Sequence, residues 1–524
     1  MPPAASWTAT PLGEDAAVTW HIRLPDEAAT LDFGRFLAGE LKVGDLVTLS
    51  GGLGAGKTTL ARVVVQSLAG DETLEVPSPT FTLLQTYDTP RGPVAHADFY
   101  RIGGPGELME LGFEEIAERS ITLVEWPERA AGALASSRLD IALDLDPRGG
   151  PDARVALITP TGDFGARVAR AMSLRRLLER AGWADATRAF MMGDASSRAY
   201  ERLTKPGGET AVLMISPPRP DGPVIRRGKS YSAIAKLAES IHAFVAMDRG
   251  LRALGLSAPR IYGEELEAGL LLLEDLGNEG VVDENGPIPE RYAEAVSLLA
   301  RLHATTLPNV LPVAEDREHV VPAYDLEAML IEVDLLLDWY APHIARIEVP
   351  TSVRMEFTSL WTATIQEGAA GPPTWTLRDY HSPNLLWLPR REGLARVGVI
   401  DFQDAVLGPP AYDVVSLLQD ARVDVSAELE LRLLGHYAKA RKSLDPDFDV
   451  GAFAGAYAVM GAQRATKILG IFARLDRRDR KPQYLRHLPR IEAYLTRNLR
   501  HPALTALKVW YDLHMPKLGG GNAP

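Results

Sequence analysis

The sequence predicts two domains in tandem, an α/β layered domain followed by a two-lobed α+β domain. From Asp45 to about Thr159, short runs rich in β-branched residues alternate with segments of helical period, which is typical of an α/β fold. A second alternation begins at Phe190, and from Pro289 onward the chain is mostly helical in period. The length of 524 residues also favours more than one domain, because domains average roughly 150 residues.

Composition excludes several classes of protein. Hydrophobic residues make up 46% and charged residues 24%, which is ordinary for a globular chain and argues against collagen, coiled coil and wholesale disorder. The absence of cysteine excludes disulfides, zinc–thiolate sites, iron–sulfur clusters and thiol nucleophiles. With 56 basic and 69 acidic side chains, the net charge of −13 argues against indiscriminate binding to nucleic acid.

The sequence shows no targeting or membrane segment. Residues 1–8 lack the basic and apolar regions of a signal peptide. Uninterrupted apolar runs also stay below the roughly 18 residues that a membrane-spanning helix needs. We therefore expect a cytoplasmic protein that makes no membrane contact.

Four strand-like runs set out the first domain, and turn formers mark its end. The runs are Asp45–Ser50, Ile121–Val124, Leu139–Leu143 and Val155–Ile158. The turn-rich stretch Asp146–Asp152 predicts a hairpin between the last two runs. We place the boundary near Gly162 to Ala166, so the first domain spans 1–165 and the second 166–524. The amphipathic segment from Arg167 to Gly182 is then predicted to be the first helix of the second domain.

A glycine-rich segment in the first domain predicts a phosphate site. Gly51-Gly-Leu-Gly-Ala-Gly-Lys-Thr58 matches the pattern G-x-x-x-x-G-K-[ST], directly after a strand-like run and directly before a helix-like segment, Thr59–Leu68. Glycines let backbone N–H groups surround phosphates, Lys57 supplies a positive charge, and Thr58 binds Mg²⁺. The sequence therefore predicts a P-loop NTPase domain that uses ATP and Mg²⁺. Its predicted ATP contacts are Gly51, Gly54, Gly56, Lys57, Thr58 and Thr59.

Hydrolysis of ATP also requires a carboxylate near the magnesium ion and a group that orients or activates water. Asp98 and Glu125 each follow a strand-like run. Both would project from the carboxyl edge of the sheet, where α/β folds bind ligands. For each of them a surface acid or a helix cap is the alternative interpretation.

Four further segments resemble, in the same order, the ATPase subunit of the bacterial tRNA N6-threonylcarbamoyladenosine machinery. They are Ser78–Phe81, His96–Arg101, Glu110–Glu115 and Glu125–Glu128. The resemblance covers roughly residues 15 to 160. It implies an ATPase that supports formation of threonylcarbamoyladenosine at position 37 of tRNA without transferring the group itself.

The same resemblance implies roles and partners. Thr58 and Asp98 would serve magnesium, with Thr80 as a further ligand, Glu125 would be the catalytic carboxylate, and Trp126 would lie beside the nucleotide. The partners would be a threonylcarbamoyl transferase subunit and that subunit's paralogous partner. Because the net charge is −13, we expect tRNA to contact those partners and not this chain directly. A regulatory domain that only senses nucleotide is the alternative.

A second pair of motifs predicts a kinase-like site in the second domain. Within Leu377–Leu386, Asn384 follows Asp379 by five residues, and Ile400–Asp404 comes after a short hairpin. This is the spacing of a kinase catalytic loop and its metal motif. Asp379 would accept the proton of an acceptor hydroxyl, and Asn384 and Asp401 would hold Mg²⁺. A solvated loop with incidental acids is the alternative.

The order of elements agrees with a kinase-like fold, in which a small β-rich lobe precedes a large helical lobe. We place the small lobe at about 172–277 and the large lobe at about 278–510. Gly193–Tyr200 would cover phosphates, with Ser196 and Ser197 as ATP contacts, although an ordinary loop is equally compatible. The run Leu270–Gly277 predicts the strand that enters the interlobe hinge, where the backbone around Glu274 and Leu276 would pair with adenine. Asp413 is expected to tether the catalytic loop.

The second domain resembles the aminoglycoside phosphotransferase superfamily over about residues 172 to 505. Within it, Gly193–Ser196, Leu377–Asn384 and Gln463–Arg474 resemble the anomeric N-acetylmuramate/N-acetylglucosamine kinases of cell-wall recycling. That likeness implies ATP-dependent phosphorylation of the C1 hydroxyl of an amino sugar. The sequence departs from the superfamily at two places. Leu377-Arg378 replaces the usual His-Gly before the catalytic Asp, and Met214 stands where a nucleotide-binding lysine is usual.

A basic segment of the second domain offers a candidate for substrate binding. From Arg464 to Arg490 the chain carries nine Lys and Arg residues against two Asp residues. Arg464 and Lys467 share one helix face and would bind a carboxylate-bearing sugar such as muramate, or phosphate. A solvated basic face or an interdomain contact is the alternative. Another acceptor, an aminoglycoside or a choline-like alcohol, also stays open, although a basic pocket disfavours a polycationic aminoglycoside.

Overall fold

The computed structural model describes residues 7–12, 19–110, 112–130, 132–191, 198–217, 222–368 and 371–520. Its contacts divide the chain into two units, Met1–Ala186 and Thr187–Pro524. No helix within these described stretches is long and apolar enough to span a bilayer.

The described part of the first unit forms a single eight-stranded sheet with helices. Its strands are β1 (Thr8–Leu12), β2 (Thr19–Leu24), β3 (Leu46–Ser50), β4 (Leu84–Thr89), β5 (Gly92–Asp98), β6 (Ile121–Glu125), β7 (Arg138–Leu145) and β8 (Arg154–Thr161). Its helices are α1 (Glu27–Glu40), α2 (Lys57–Ala69), α3 (Pro105–Glu110), α4 (Phe113–Arg119) and α5 (Gly162–Arg180).

The centre of this sheet is parallel and its two sides are antiparallel. The strand order is β1-β2-β8-β7-β3-β6-β5-β4, and the neighbours β7/β3, β3/β6 and β6/β5 run parallel. Strand β3 is buried along almost its whole length, as its apolar sequence requires. The predicted α/β fold is therefore confirmed. Because parallel strands end at the same edge, the residues that follow β3, β5 and β6 lie close together.

Helix α5 belongs to the first unit by its contacts. Phe164, Val168 and Met172 are buried in the core of that unit. Arg175 lies 3.9 Å from the centre of the Trp7 ring, a cation–π contact that adds to this packing. The boundary predicted at residue 165 therefore differs from the division after Ala186. The helical period of this segment was visible in the sequence, but the period alone does not tell which core the apolar face covers.

The second unit begins with a small lobe and continues into a larger helical lobe. Its strands are β9 (Thr187–Met191), β10 (Ala199–Thr204), β11 (Thr210–Ile215), β12 (Val224–Arg226), β13 (Lys229–Ser230), β14 (Ile261–Glu265), β15 (Leu270–Glu274), β16 (Val282–Asp283), β17 (Gly286–Pro287), β18 (Val310–Ala314), β19 (Arg317–Val320), β20 (Thr374–Thr376), β21 (Leu385–Trp387), β22 (Val397–Val399) and β23 (Val406–Gly408).

The helices of the second unit lie mostly in the larger lobe. They are α6 (Tyr231–Ala235), α7 (Ile241–Ala253), α8 (Pro289–His303), α9 (Leu326–Leu335), α10 (Thr351–Gly368), α11 (Ala411–Leu418), α12 (Ala427–Leu444), α13 (Val450–Arg477), α14 (Leu488–Asn498), α15 (Thr505–His514) and α16 (Pro516–Gly519). Helix α9 continues into a π-helical segment, Leu336–Ala345.

A five-stranded antiparallel sheet forms the small lobe, in the order β14-β15-β11-β10-β9. The alternation predicted to begin at Phe190 is confirmed, because strands β10 and β11 follow that residue. Helix α13 runs through the core of the large lobe. It packs closely on α9, since a Cβ at Gly470 would lie 2.4 Å from the carbonyl carbon of Leu335. The predicted two-lobed α+β architecture is therefore confirmed.

Candidate functional sites

The loop between β3 and α2 has the backbone of a phosphate-binding loop. Gly51, Gly54 and Gly56 have φ angles of +131°, +78° and +104°, in the region that favours glycine. Gly51 also lies against β7, because a Cβ there would be 2.1 Å from the carbonyl oxygen of Leu143. Helix α2 begins at Lys57, directly after the loop. A helix N-terminus in this position favours an anion.

Replacing Gly51 by alanine is expected to destabilise the first unit by about 3 kcal/mol, because the new Cβ meets the backbone of β7 at a positive φ. Gly52→Ala is the matched control, since nothing lies within 4 Å of a Cβ there. We expect the control to change stability by less than about 1 kcal/mol. Calorimetric unfolding of both variants measures the difference, and equal transition temperatures would contradict the close contact.

Lys57 is held over this loop by backbone oxygens. Its side chain is buried, and its ammonium donates to the carbonyl oxygens of Gly51 and Gly52, both at 2.8 Å. The same ammonium lies 3.8 Å from the centre of the Trp126 ring. Burial lowers the pKa of Lys57, against the opposing effect of Glu125 and other nearby carboxylates. Phosphate oxygens bind an ammonium more strongly than carbonyl oxygens do, so the arrangement suits an anionic ligand.

Glu125 lies beside the loop with both carboxylate oxygens bound. Strands β5 and β6 are parallel neighbours with Asp98 and Glu125 in register. The Thr58 hydroxyl donates to Glu125 Oε2 at 3.0 Å, and His96 Nε2 lies 2.9 Å from Oε1. His96 is fully buried, and no role was predicted for it from the sequence. Its signal is its position in β5 two residues before Asp98, which puts both side chains on the same strand face.

Asp98 collects the hydroxyl groups of a neighbouring loop. Ser78 Oγ donates to Asp98 Oδ2 at 2.6 Å and Thr80 Oγ1 donates to the same oxygen at 3.0 Å. The backbone N–H of Tyr100 donates to Oδ1 at 2.9 Å. Thr80 therefore lies next to Asp98. The carboxylates of Asp98 and Glu125 and the hydroxyls of Thr58 and Thr80 are hard oxygen donors of the kind that Mg²⁺ prefers.

These groups line a single open cavity of about 410 Å³. Of the residues predicted for the first site, the cavity wall includes Gly54, Gly56, Lys57, Thr58, Thr59, Thr80, Asp98, Glu125 and Trp126. Gly51 contributes the turn against β7. Trp126 and Tyr100 lie on the wall with ring centres 5.0 Å apart, and aromatic faces of this kind stack on a nucleotide base.

The loop that carries Asp379 is fixed from below by a buried carboxylate. Asp413 on α11 accepts the backbone N–H groups of Leu377 and Arg378 at 2.7 and 2.8 Å. The predicted tether is therefore confirmed. Arg378 has a φ of +65°, a conformation that glycine adopts more easily. This explains why a glycine is usual at this position in the superfamily that the sequence resembles, and it raises the question of what holds an arginine there.

A fully buried carboxylate, Glu332 on α9, holds Arg378. The guanidinium of Arg378 pairs with Glu332 and also donates to the carbonyl oxygen of Ala235 at 2.9 Å. Lys467 Nζ lies 2.8 Å from Glu332 Oε1, and Tyr324 donates its hydroxyl to the same carboxylate. Glu332 therefore links the loop of Asp379 to helix α13. Glu332 was not predicted from the sequence, although an acid within the apolar helix α9 is the signal for a buried ion pair.

Changing Glu332 to glutamine is expected to destabilise the second unit by about 3 kcal/mol, because Arg378 and Lys467 stay buried without their counter-charge. Glu327→Gln on the same helix is the control. Glu327 lies 3.7 and 3.6 Å from Arg227 and Lys229 at the surface, so its loss is expected to cost less than about 1 kcal/mol. Urea unfolding measures both, and a negligible effect of Glu332→Gln would contradict the assigned linkage.

Asn384 and Asp401 come together above the loop, as the sequence predicts. Asn384 Nδ2 donates to the backbone oxygen of Asp379 at 2.9 Å and to Asp401 Oδ2 at 3.4 Å. Gln403 Nε2 donates to Asp401 Oδ1 at 2.8 Å. Burial raises the pKa of Asp401, and Asp379 adds to the effect. Amide and carboxylate oxygens at this place suit Mg²⁺, which in proteins typically takes one or two carboxylates together with phosphate oxygens.

Asp379 is a carboxylate near neutral pH. Burial acts to raise the pKa of Asp379, but the neighbouring His381, Arg464 and Lys467 side chains outweigh burial and lower that pKa. Asp379 lines a cavity of about 620 Å³ together with Asn384, Asp401, Arg464 and Lys467. A carboxylate in such a cavity can accept a proton from a hydroxyl placed beside it.

The two cations predicted for substrate binding lie on the wall of this cavity but differ in their partners. Lys467 is paired with Glu332 and lies 3.2 Å from the Tyr412 hydroxyl. Arg464 donates at 3.3 Å to the backbone oxygen of Arg378 and at 3.3 Å to the Tyr412 hydroxyl. In the stretches that the structure describes, Arg464 Nε has no hydrogen-bond partner and its guanidinium pairs with no carboxylate. Arg464 is therefore the better candidate for an anionic ligand.

The predicted hinge segment connects the small lobe to the large lobe. Strand β15 ends at Glu274, whose carboxylate accepts from Arg391 at 2.5 Å and from the backbone N–H of Arg260 at 3.1 Å. Leu276 is nearly buried against Gly398 of β22. The side chain of Glu274 is thus engaged within the protein, and a base at this hinge would meet the backbone. Ser196 and Ser197 lie outside the described residues.

Among the described residues, no group of three or more His, Asp or Glu side chains forms a cluster that could hold a metal ion. The side chains predicted to bind magnesium instead combine a carboxylate with neutral oxygen donors. They are Asp98 with Thr58 and Thr80 in the first cavity, and Asp401 with Asn384 in the second.

Comparisons with known proteins divide the chain in the same way. Residues 24–150 match the family model described as "Threonylcarbamoyl adenosine biosynthesis protein TsaE", and residues 189–449 match the "Phosphotransferase enzyme family". Three relatives illustrate the likeness. An N-acetylmuramate/N-acetylglucosamine kinase of Caulobacter vibrioides is 39% identical over 347 residues, which cover 64% of this chain and 94% of that protein.

The same kinase of Pseudomonas aeruginosa is 30% identical over 344 residues, which cover 64% of this chain and 91% of that protein. The first unit is similar to another kind of protein. A tRNA threonylcarbamoyladenosine biosynthesis protein TsaE of Rickettsia bellii is 39% identical over 122 residues, which cover 23% of this chain and 84% of that protein.

Proposed function

The chain belongs to the TsaE family over its first unit and to the N-acetylmuramate/N-acetylglucosamine kinase family over its second, and from this premise we propose that it carries out two ATP-dependent reactions at two separate sites. The first is ATP hydrolysis in support of tRNA threonylcarbamoyladenosine formation. The second is phosphorylation of the anomeric hydroxyl of an amino sugar. Both reactions use ATP and Mg²⁺, and we place the protein in the cytoplasm.

The observation that carries the kinase reaction is the convergence of Asp379, Asn384 and Asp401 in a single cavity. Asp379 accepts the proton of the C1 hydroxyl while the hydroxyl oxygen bonds to the terminal phosphorus of ATP and the bond to ADP breaks. Asn384 and Asp401 hold Mg²⁺, which neutralises charge on the phosphates. The backbone at Glu274 and Leu276 binds the base. The products are a sugar 1-phosphate and ADP.

The first site supports ATP hydrolysis. Lys57 and the N-terminus of α2 bind the phosphates, and Trp126 lies beside the nucleotide. Thr58, Thr80 and Asp98 supply oxygen ligands for Mg²⁺. Glu125, fixed by Thr58 and His96, orients the attacking water. We propose that a threonylcarbamoyl transferase subunit and its paralogous partner use this nucleotide cycle and that tRNA contacts them.

Phosphorus NMR of the full-length protein with Mg-ATP tests the kinase function. The panel consists of N-acetylmuramate, N-acetylglucosamine, an aminoglycoside, choline and buffer alone. We expect a new anomeric phosphate resonance with the amino sugars only. If the aminoglycoside or choline is phosphorylated and the amino sugars are not, the second site has a different acceptor. If no compound is phosphorylated, the kinase proposal fails.

Arg464 is expected to recognise the carboxylate that N-acetylmuramate has and N-acetylglucosamine lacks. Its guanidinium is buried on the cavity wall and pairs with no carboxylate among the described residues. Arg464→Ala should therefore raise KM for N-acetylmuramate by about tenfold or more and change KM for N-acetylglucosamine much less. Steady-state kinetics with both sugars measure this difference. Equal effects on the two sugars would show that Arg464 does not read the carboxylate.

A further inference from the structure

The second site lacks the lysine with which kinase-like folds hold the nucleotide's phosphates. That lysine lies on the third strand of the small lobe. The third strand here is β11, and Met214, a neutral side chain that is fully buried, occupies the position. The phosphates of ATP carry several negative charges, and a site that binds them requires compensating cations. The question is therefore which cation of the small lobe can supply this positive charge.

Arg198 lies close to the missing lysine's position. In the antiparallel pair β10/β11, Tyr200 lies opposite Met214. Arg198 precedes Tyr200 by two residues, and alternate residues of an extended segment point to the same side. Its guanidinium hydrogen-bonds with the Tyr200 hydroxyl, and its Nη1 lies 3.8 Å from Oδ1 of Asp401, the carboxylate assigned to magnesium.

The remaining cations of the cavity lie on other walls. Within the described residues, the cavity is lined by four cationic side chains, Arg198, Arg422, Arg464 and Lys467. Lys467 is paired with Glu332, and Arg464 lies beside it on α13. Arg422 follows α11 and lies 3.3 Å from His381 in the catalytic loop. Of these four, Arg198 alone comes from the small lobe. Its side chain is 13% exposed, so it is largely shielded from water yet borders the cavity.

On the basis of the kinase function proposed above, we propose that Arg198 binds the phosphates of the nucleotide in the second site, in place of the lysine of other kinase-like folds. A guanidinium suits this role because it forms two parallel hydrogen bonds to phosphate oxygens. Arg198 directly precedes β10, and its side chain lines the same cavity as Asp401. The contact with Asp401 keeps the guanidinium next to the place where magnesium and the phosphates meet.

Nucleotide binding tests this assignment directly. The full-length protein with Lys57→Ala provides the background, so that the first site does not contribute. Calorimetry then measures the Kd of Mg-ATP, Mg-ADP and adenosine for this parent and for added Arg198→Ala, Arg198→Lys and Arg188→Ala. Arg188 is the matched control, because it lies in the same sheet, pairs with Glu201 at 2.6 Å, and does not line the cavity.

We expect Arg198→Ala to weaken binding of ATP and ADP by about tenfold or more and to leave adenosine binding unchanged. Arg198→Lys should recover part of the loss, and Arg188→Ala should match the parent. Unchanged ATP affinity in Arg198→Ala overturns the assignment and leaves the kinase function standing. An equal loss of adenosine affinity also overturns the assignment, because it would show an effect on the fold of the small lobe. If the parent binds no ATP, the proposed kinase function fails as well.

Discussion

Replacing Asp379 by asparagine is expected to lower the rate of sugar phosphorylation by about 10³-fold at saturating ATP. The amide has nearly the same size but cannot accept the proton of the C1 hydroxyl. The loop should keep its conformation, because it is held through backbone N–H groups by Asp413 and not by the carboxylate of Asp379. KM for ATP should therefore stay within about twofold, since Asp379 faces the acceptor. Steady-state formation of the sugar phosphate measures both quantities.

Asp424→Asn is a suitable control for this experiment. Asp424 lies in the same lobe, but it is mostly exposed and pairs with Arg490 outside the cavity. We expect its substitution to leave the kinase rate unchanged. If Asp379→Asn kept more than about a tenth of the parent rate, the carboxylate would not be the proton acceptor, since general bases contribute at least about 10²-fold.

Glu125→Gln is expected to reduce ATP hydrolysis at the first site by about 100-fold or more. The substitution removes the negative charge that orients water, while the amide can keep one of the two hydrogen bonds that Thr58 and His96 make to this side chain. Nucleotide binding should persist, because Lys57 and the loop backbone are unchanged. The assay measures phosphate release by the full-length protein together with the transferase subunit and its paralogous partner.

The control for this second experiment is Glu72→Gln. Glu72 is an exposed residue of the same unit that pairs with Arg35 at 3.2 Å and does not line the first cavity. It should hydrolyse ATP at the parent rate. Parent-like hydrolysis by Glu125→Gln would assign water activation to another group, and loss of nucleotide binding in that variant would indicate a role in binding.

The first site could be predicted from the sequence to a large extent. The P-loop is contiguous, so Gly51–Thr58 carries both its spacing and its strand-and-helix context in the sequence. Asp98 and Glu125 could be predicted because each one ends a strand, and parallel strands share a carboxyl edge. His96 was missed because its only contact in the site is with a residue on another strand. Such a contact depends on the order of strands, which no local pattern gives.

In the second unit the catalytic motifs and the Asp413 tether were visible in the sequence, but the buried ion pair that holds Arg378 was not. Asp379, Asn384 and Asp401 could be named from spacing alone. The replacement of the usual glycine by Arg378 was visible as a departure, but its compensation by Glu332 was not. That ion pair joins positions far apart in the chain, and a buried acid in a helix gives no sign of its partner.

The prediction of the first unit was also incomplete at the edge of its sheet. The inner strands β3, β6, β7 and β8 were predicted, because burial on both faces or a clear hairpin gives them apolar runs. The outer strands β1 and β2 were not predicted, since their side chains alternate in burial and the runs are short. Helix α5 was recognised by its period, but the period did not show that Phe164, Val168 and Met172 pack in the core of the first unit.

The most direct test of the whole account is to measure both activities in two single variants of the full-length protein. Lys57→Ala and Asp379→Asn are each assayed for sugar 1-phosphate formation by phosphorus NMR and for ATP hydrolysis with the partner subunits present. We expect sugar phosphorylation to be lost only in Asp379→Asn and the partner-dependent hydrolysis to be lost only in Lys57→Ala. Loss of both activities in either variant, or sugar phosphate formed by Asp379→Asn at the parent rate, would contradict two separate ATP sites in one chain.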